Sequence, residues 1–353
     1  MQLKGFIESI NFTRRERLLS IPYNIIKKAF SELNLEFTII KKSNAAQLYY
    51  FSKSKSDIDF LAYCLANHSN LVFDLGLFED KEDKKEILKF IKNRIYGTLC
   101  DSVDRDIIFD QADLVYEKYY KQMKQELEKK DQHYILNWNG SRYILPVNNF
   151  DFIIFYHKYG IPLLPDNVRR TLAGKDVIDA GAFIGDSALI LKELNPKKIY
   201  AFEPLEENIK LLKKTIELNN FSNVVILDKA LSSREETLTI QPAGPGSFIY
   251  KLGSQKIDTT TIDKFVDKYE LAVGLIKMDI EGYEFEAIKG AEKTIRDHKP
   301  VQIISLYHDG RSFFEIPKLL NKWVPEYKFR FLNLNKTNPA SERVLLAYYE
   351  GSD

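Results

Sequence analysis

The chain has 353 residues, 44% apolar and 29% charged, a composition that fits about two globular domains and excludes disordered or fibrous classes. Its 51 Lys and Arg balance 50 Asp and Glu, so no bulk charge marks a nucleic-acid or polyanion binder. Two cysteines, Cys64 and Cys100, exclude a disulfide framework, no run of about 18 apolar residues offers a membrane span, and the N-terminus lacks a signal-peptide core, so a reducing cytoplasm is the expected setting.

Residues 1–131 read as a mainly helical N-terminal domain. Ile21, Ile25, Ala29 and Leu33 recur four apart and mark a helix face. Ser56 and Asp57 stand where they would cap a helix running to Leu65. Asp74-Leu75-Gly76 reads as a loop. Over 81–96, Ile87, Phe90, Ile91 and Ile95 share one face. The stretch 104–131 reads as long and periodic, with Leu114, Tyr119, Met123 and Leu127 among its apolar positions, and its charged end ELEKKDQ reads as a solvated helix end or a linker. The basic segment Arg14-Arg15-Glu16-Arg17 is too short and mixed for a nucleic-acid or membrane surface.

Residues 132–165 read as a hairpin and connector. Two β-rich runs flank Asn139-Gly140, a pair suited to a type I′ turn. From residue 166 to 353, short apolar runs alternate with helical stretches. Runs at 176–180, 198–204, 223–227, 274–280 and 301–307 read as strands, each followed by a helical pattern, and 328–334 and 343–349 read as a closing pair. The expected class is α/β, a doubly wound, Rossmann-like, mostly parallel sheet with a helical N-terminal extension. The insert 237–261, with Gly244-Pro245-Gly246-Ser247 inside it, reads as a hairpin excursion, either a surface feature or a lid.

Such a sheet binds nucleotide-like ligands at the carboxyl ends of its strands. The turn after the first strand is DAGAFIGD, 179–186. Gly181 permits positive φ and removes a Cβ that would strike a ligand, and Gly185 allows close helix packing. Asp179 and Asp186 place carboxylates where a sulfonium and an ammonium would lie. Glu203 ends the second strand, placed to accept a ribose diol. A nicotinamide enzyme would show GxGxxG and a helix N-terminus free for pyrophosphate. Asp186 at that helix start repels pyrophosphate, so the unit 176–203 points to S-adenosyl-L-methionine (AdoMet).

The segments IDAGAFIGDSAL (178–189), YAFEPLEENIKLLKK (200–214), TTTIDKF (259–265) and IKMDIEGYEFEAIKGA (276–291) resemble the FkbM family of methyltransferases. The likeness covers roughly 150–350. It implies the class I methyltransferase fold, AdoMet as cofactor and a sugar, glycan or natural-product hydroxyl as acceptor. It carries cofactor contacts onto Asp179, Gly181, Ala182, Phe183, Gly185, Asp186 and Ser187, the ribose onto Glu203 beside Pro204, and adenine onto Asp228, Lys229 and Ala230.

A hydroxyl acceptor needs its proton removed. Asp279, Glu281 and His308, on the carboxyl ends of the fourth and fifth strands, are the candidate catalytic residues, His308 as base because an ordinary imidazole titrates near ~6.5. Asp279 and Glu281 also suit a Mg²⁺ or Ca²⁺ ion, but the reading adopted is a pair holding loop and cofactor, so no metal ligand is assigned. Lys277, a charge inside an apolar strand, reads as snorkelling or paired with an acid, with substrate contact as the lesser alternative. Tyr307, Asp309 and Arg311 are further crevice candidates, and Tyr156, His157 and Tyr159 form either an acceptor wall or core. The alternative functions are a catalytically idle AdoMet-fold scaffold and a nicotinamide oxidoreductase. The expected partner is a small-molecule or glycan acceptor, not nucleic acid; a homo-oligomer is compatible with the sequence.

Overall fold

The apolar runs from Asp176 onward form one seven-stranded sheet. In chain order its strands are β1 (Asp176–Ala180), β2 (Lys198–Phe202), β3 (Val224–Leu227), β4 (Val273–Met278), β5 (Val301–Ser305), β6 (Lys328–Asn333) and β7 (Arg343–Tyr348). Across the sheet they run β6-β7-β5-β4-β1-β2-β3, and only β7 is antiparallel to its neighbours. The structure is a computed structural model that describes residues 48–49, 55–67, 73–99, 103–104, 113–241, 248–249, 255–335, 338 and 340–351. The helix face read at 21–33, the basic segment 14–17, Cys100 and the tip 244–247 lie outside the described residues.

Strands β1, β5 and β7 are buried along their whole length, as expected of sheet strands covered on both faces. Alternate side chains enter two different cores. Ile178, Ala180, Ile276, Met278, Ile304 and Leu345 pack on one face; Val177, Leu275, Ile303, Val344 and Leu346 pack on the other.

The described N-terminal helices join the first of these cores. Phe60 of Lys55–Ala66 and Phe90 of Lys81–Leu99 pack with Phe313, which lies 5.5 and 5.2 Å from them between ring centroids. Phe313 belongs to the helix Gly310–Trp323. Asp83 clamps the edge strand β6, accepting from Arg330 Nε at 2.6 Å and from the Phe331 amide at 3.0 Å. Ser56 does not cap its helix, which already begins at Lys55; its hydroxyl donates to the carbonyls of Tyr307 and His308 beyond β5. Asp74 does cap, accepting from Gly76 N at 2.9 Å to start a 3-10 turn at Leu75–Leu77 where a loop was expected.

Within 104–131, the charged end read as a helix end or linker is instead a strand. The described helix is Asp113–Gln125, and Leu127–Lys130 is a strand paired antiparallel with His133–Trp138. The LEKK charges look solvated because this is the edge strand of a three-stranded sheet, where lysines discourage further pairing. Its second turn matches the sequence reading: Asn139 (φ 48°) and Gly140 (φ 80°) are both left-handed, as a type I′ turn requires. Among the described residues no helix is long and apolar enough to cross a membrane.

Candidate active site

The chain leaves β1 at Ala180 and turns at Gly181, where φ is 77°. A Cβ there would sit 2.0 Å from the carbonyl oxygen of Asp279. The protein's own backbone leaving β4 therefore already requires a glycine here. Gly185 (φ 87°) does serve close packing: a Cβ would lie 2.7 Å from Leu212 Cδ1 on the helix Glu206–Leu218.

Glu203, just past β2, ties this turn down. Its Oε2 accepts from the amide of Phe183, itself left-handed at φ 46°, at 3.0 Å, and its Oε1 accepts from Leu205 N and Asn208 Nδ2 at 3.0 and 3.1 Å. Burial pushes this carboxyl up, against the pull of those donors. The remaining lone pairs of a carboxylate oriented in this way are free for a diol.

Asp179 and Lys277 are register partners on adjacent strands β1 and β4, and Lys277 Nζ lies 3.2 Å from Asp179 Oδ1. The other Asp179 oxygen accepts from Ser187 Oγ at 2.6 Å. Lys277 also donates to Gly181 O at 2.8 Å. Burial works against its charge, but Asp179, Asp279 and Asp186 outweigh burial and raise its pKa. The acid partner expected for Lys277 is Asp179, and both Asp179 and Ser187 are spent on this internal network.

A cleft of roughly 370 Å³ opens over the carboxyl ends of β1, β2 and β4, within the ~300–1,000 Å³ usual for small-ligand sites. Of the residues singled out from sequence, Gly181, Phe183, Asp186, Glu203, Pro204, Lys229, Ala230, Asp279 and Glu281 line it, as do Tyr159, Lys277 and Tyr307. Asp179, Ala182, Gly185 and Ser187 lie behind its wall, and Asp228 faces a separate shallow groove with Lys213 and Lys256. Tyr156 is not in the wall; it stacks on Phe152 at 4.4 Å. The insert 237–261 contributes Ile240 and Ile257 from its paired strands Thr237–Gln241 and Gln255–Thr260.

The cleft is strongly acidic: Asp151, Asp186, Glu203, Asp279, Glu281 and Glu342 all line it. Burial, opposed by Lys277 and the Ser187 amide, pushes Asp186 up to about 7. Burial first, with Asp279 and Asp151 adding, pushes Glu342 up to about 8. Asn149, Asp151, Asn208, Tyr283 and Glu342 were not singled out from sequence. Asp151 had one local signal, an acid before the apolar run FIIF, where it caps a short helix through Ile153 N at 2.7 Å. Glu342 had none, because it comes from the β6–β7 connection.

Beside the cleft stands His308. Its Nδ1 lies 2.8 Å from Glu284 Oε1, and its Nε2 lies 3.5 Å from Glu281 Oε2 and 3.6 Å from Asp279 Oδ1. Burial lowers its pKa, but Glu284, Glu281 and Asp279 outweigh burial and push it up to about 10. These carboxylates favour the form of the ring that carries a proton on both nitrogens.

With this geometry in place, comparison with known proteins is decisive at one point. Residues 179–331 match the family model described as "Methyltransferase FkbM domain". This stretch of the chain is therefore similar to an FkbM methyltransferase domain. Its fold is similar to the crystal structure of methyltransferase FkbM from Methylobacillus flagellatus KT, at 18% identity and a TM-score of 0.52 over 82% of this chain and 61% of that one. The chain thus spans less than two thirds of that relative's length. Weaker likenesses include Trm5b from Pyrococcus abyssi (14% identity, 63% of this chain, 56% of that chain, TM-score 0.34). TYW2 from M. jannaschii, in complex with AdoMet, gives 15% identity, 63% of this chain, 87% of that chain and a TM-score of 0.33. No curated protein matches the chain.

Within the matched stretch, the segment 279–291 is a folded device. Glu284 is fully buried and receives Ile280 N at 2.9 Å and Gly282 N at 3.0 Å, which closes the turn after β4. That turn holds Glu281 at φ 56° and Gly282 at φ 95°. The helix expected through Phe285, Ile288 and Ile295 is two helices, Glu284–Lys289 and Glu292–His298. They break at Gly290, where a Cβ would sit 2.1 Å from the Ser232 carbonyl oxygen.

Proposed function

We propose that the FkbM domain transfers a methyl group from AdoMet to a hydroxyl of a sugar, glycan or natural product. The observation that carries this reading is the acidic cleft at the carboxyl ends of β1, β2 and β4, closed on one side by the Gly181 turn and Glu203. The cleft's carboxyl groups, even with Asp186 raised to about 7 and Glu342 to about 8 and so partly protonated at neutral pH, outnumber Lys229 and Lys277; that suits a ligand bearing a sulfonium and an ammonium and argues against the pyrophosphate of a nicotinamide cofactor. An open cleft with its polar groups facing inward also argues against an idle scaffold.

The residues present fit the cofactor. Glu203, oriented by two backbone amides, receives the ribose diol. Asp186 receives the ammonium, with Asn149 Nδ2 3.3 Å from its Oδ2. Lys229, Ala230, Ile240 and Ile257 form the adenine side. Bound there, AdoMet supplies an electrophilic methyl on a good leaving group.

The chain's own part is alignment, which can supply ~7–11 kcal/mol of the barrier, together with handling of the acceptor proton. Asp279 and Glu281 face the cleft and are placed to take that proton; His308 stands behind them as their charge partner. Tyr159 and Tyr307 form the acceptor wall. In this reading residues 166–353 are the methyltransferase unit, 132–165 a connector, and 1–131 an N-terminal part with no role in the transfer assigned to it.

Isothermal titration of the full chain with AdoMet and with NAD tests the cofactor, and labelled AdoMet offered with sugar and lipid-linked glycan acceptors tests the transfer. AdoMet binding without NAD binding is the expected result. A pure, folded chain that ignores AdoMet would sink the reading.

A further inference from the structure

The polar atoms around His308 are arranged for a cation. His308 is only 8% exposed, and its Nε2 has no hydrogen-bond partner. Asp279 Oδ1 is likewise buried without one. Asp279, Glu284 and His308 each bring a donor atom within 4.8 Å of the others, and Nε2 lies 3.6 and 3.5 Å from Asp279 Oδ1 and Glu281 Oε2. That is longer than a hydrogen bond but close to the spacing of about 3.4 Å between donors bound at ~2.1 Å around one tetrahedral metal ion.

The other side of the imidazole is already committed. Glu284 Oε1 lies 2.8 Å from Nδ1 while the same carboxylate accepts the amides of Ile280 and Gly282. Three partners hold Glu284 in place, and its contact fixes the ring so that Nε2 faces Asp279 and Glu281. A carboxylate on the far nitrogen is the usual outer support of a metal-bound histidine. Glu281 is held in a left-handed backbone conformation that a side chain ordinarily avoids, and strain of this kind collects at functional sites.

We propose that His308 Nε2, Asp279 and Glu281 bind one divalent cation of the Mn²⁺ class, with Glu284 as the outer carboxylate that orients His308. One imidazole with two carboxylates favours Mn²⁺, Fe²⁺ or Zn²⁺ over Mg²⁺ or Ca²⁺, which prefer all-oxygen shells. Asp279 and Glu281 also line the cleft, so the ion's open positions face the acceptor. There it would bind the acceptor hydroxyl and ease loss of its proton to a neighbouring carboxylate or water. This last role rests on the methyl-transfer reading; the binding itself does not.

The test is Mn²⁺ titration of the full chain without AdoMet or acceptor, followed by calorimetry and by loss of the free-Mn²⁺ EPR signal. The expected result is one site per chain, weakened at least about tenfold in Glu281→Gln and in His308→Gln. Thermal melting and AdoMet titration establish that each variant is folded; if His308→Gln does not fold, the more exposed Glu281→Gln decides. A wild-type chain that binds AdoMet but no Mn²⁺ at millimolar concentration overturns the proposal and leaves methyl transfer standing. Mn²⁺ binding unchanged in both folded variants overturns it as well, by placing the ion elsewhere. Mn²⁺ binding without AdoMet binding keeps this site and removes the function proposed above.

Discussion

Lys277 and Asp179 face each other across β4 and β1, in register, 3.2 Å apart and each almost wholly buried. The pair fastens the turn that shapes the cleft, because Lys277 also holds Gly181 O. Lys277→Met leaves Asp179 buried without its counter-charge. The expected loss is about 3–5 kcal/mol, read by urea unfolding. The double variant Lys277→Met, Asp179→Asn recovers part of that loss; an additive double variant would show that the two residues are not coupled.

Glu203→Gln keeps the shape of the side chain but removes its charge and one acceptor. AdoMet affinity is expected to fall about ten- to hundredfold, the worth of charge-assisted hydrogen bonds to a diol. Calorimetry reads it. Unchanged affinity would reject the ribose role and leave Glu203 as a clamp for Phe183 and Leu205.

Gly181→Ala and Gly140→Ala separate steric collision from backbone strain. Both glycines have φ near 80°, but only Gly181 would drive a Cβ into another backbone atom; at Gly140 nothing lies within 4 Å. Gly140→Ala is expected to cost about 1 kcal/mol and Gly181→Ala at least ~2 kcal/mol. AdoMet affinity should fall only in the second, since the shift moves Asp279 in the cleft wall.

Asp186, raised to about 7 by burial, makes cofactor binding pH-dependent. Below that pH the carboxyl is protonated and cannot pair with an ammonium. Affinity for AdoMet should rise about tenfold between pH 6 and pH 8 and then level off. Stability of the ligand-free chain moves the other way. A pKa raised above the unfolded value contributes stability that is complete below about pH 4 and lost as pH rises through about 7. Glu342, raised to about 8, acts in the same direction. Asp186→Asn should flatten the melting profile between pH 5 and pH 8 while weakening AdoMet at pH 8; a profile unchanged by this substitution would remove Asp186 from the linkage.

Much of the sheet was legible because its signal is local. Fully buried strands read as short apolar runs, and the glycines of the first turn stand at fixed offsets from the end of β1. Leu127–Lys130 was not legible as a strand, since its charges say only that it is exposed and its partner supplies the pairing. The break at Gly290 was hidden for a similar reason: the apolar spacing continues through it, and only Ser232, 58 positions earlier in the chain, forbids a continuous helix.

The sequence by itself determined the fold class, the family resemblance and the stretch of chain that turns beneath the cleft. All three rest on periodicity and on residues close together in the chain. Only the tertiary structure decided which acid does what. Asp179 and Asp186 lie seven residues apart in one turn, yet Asp179 is consumed by Lys277 and Ser187 while Asp186 faces the cleft. His308 was readable as a histidine near acids, but its charge state was not. Three carboxylates from the turn after β4 surround its ring, and that field depends on distances that no spacing along the chain encodes.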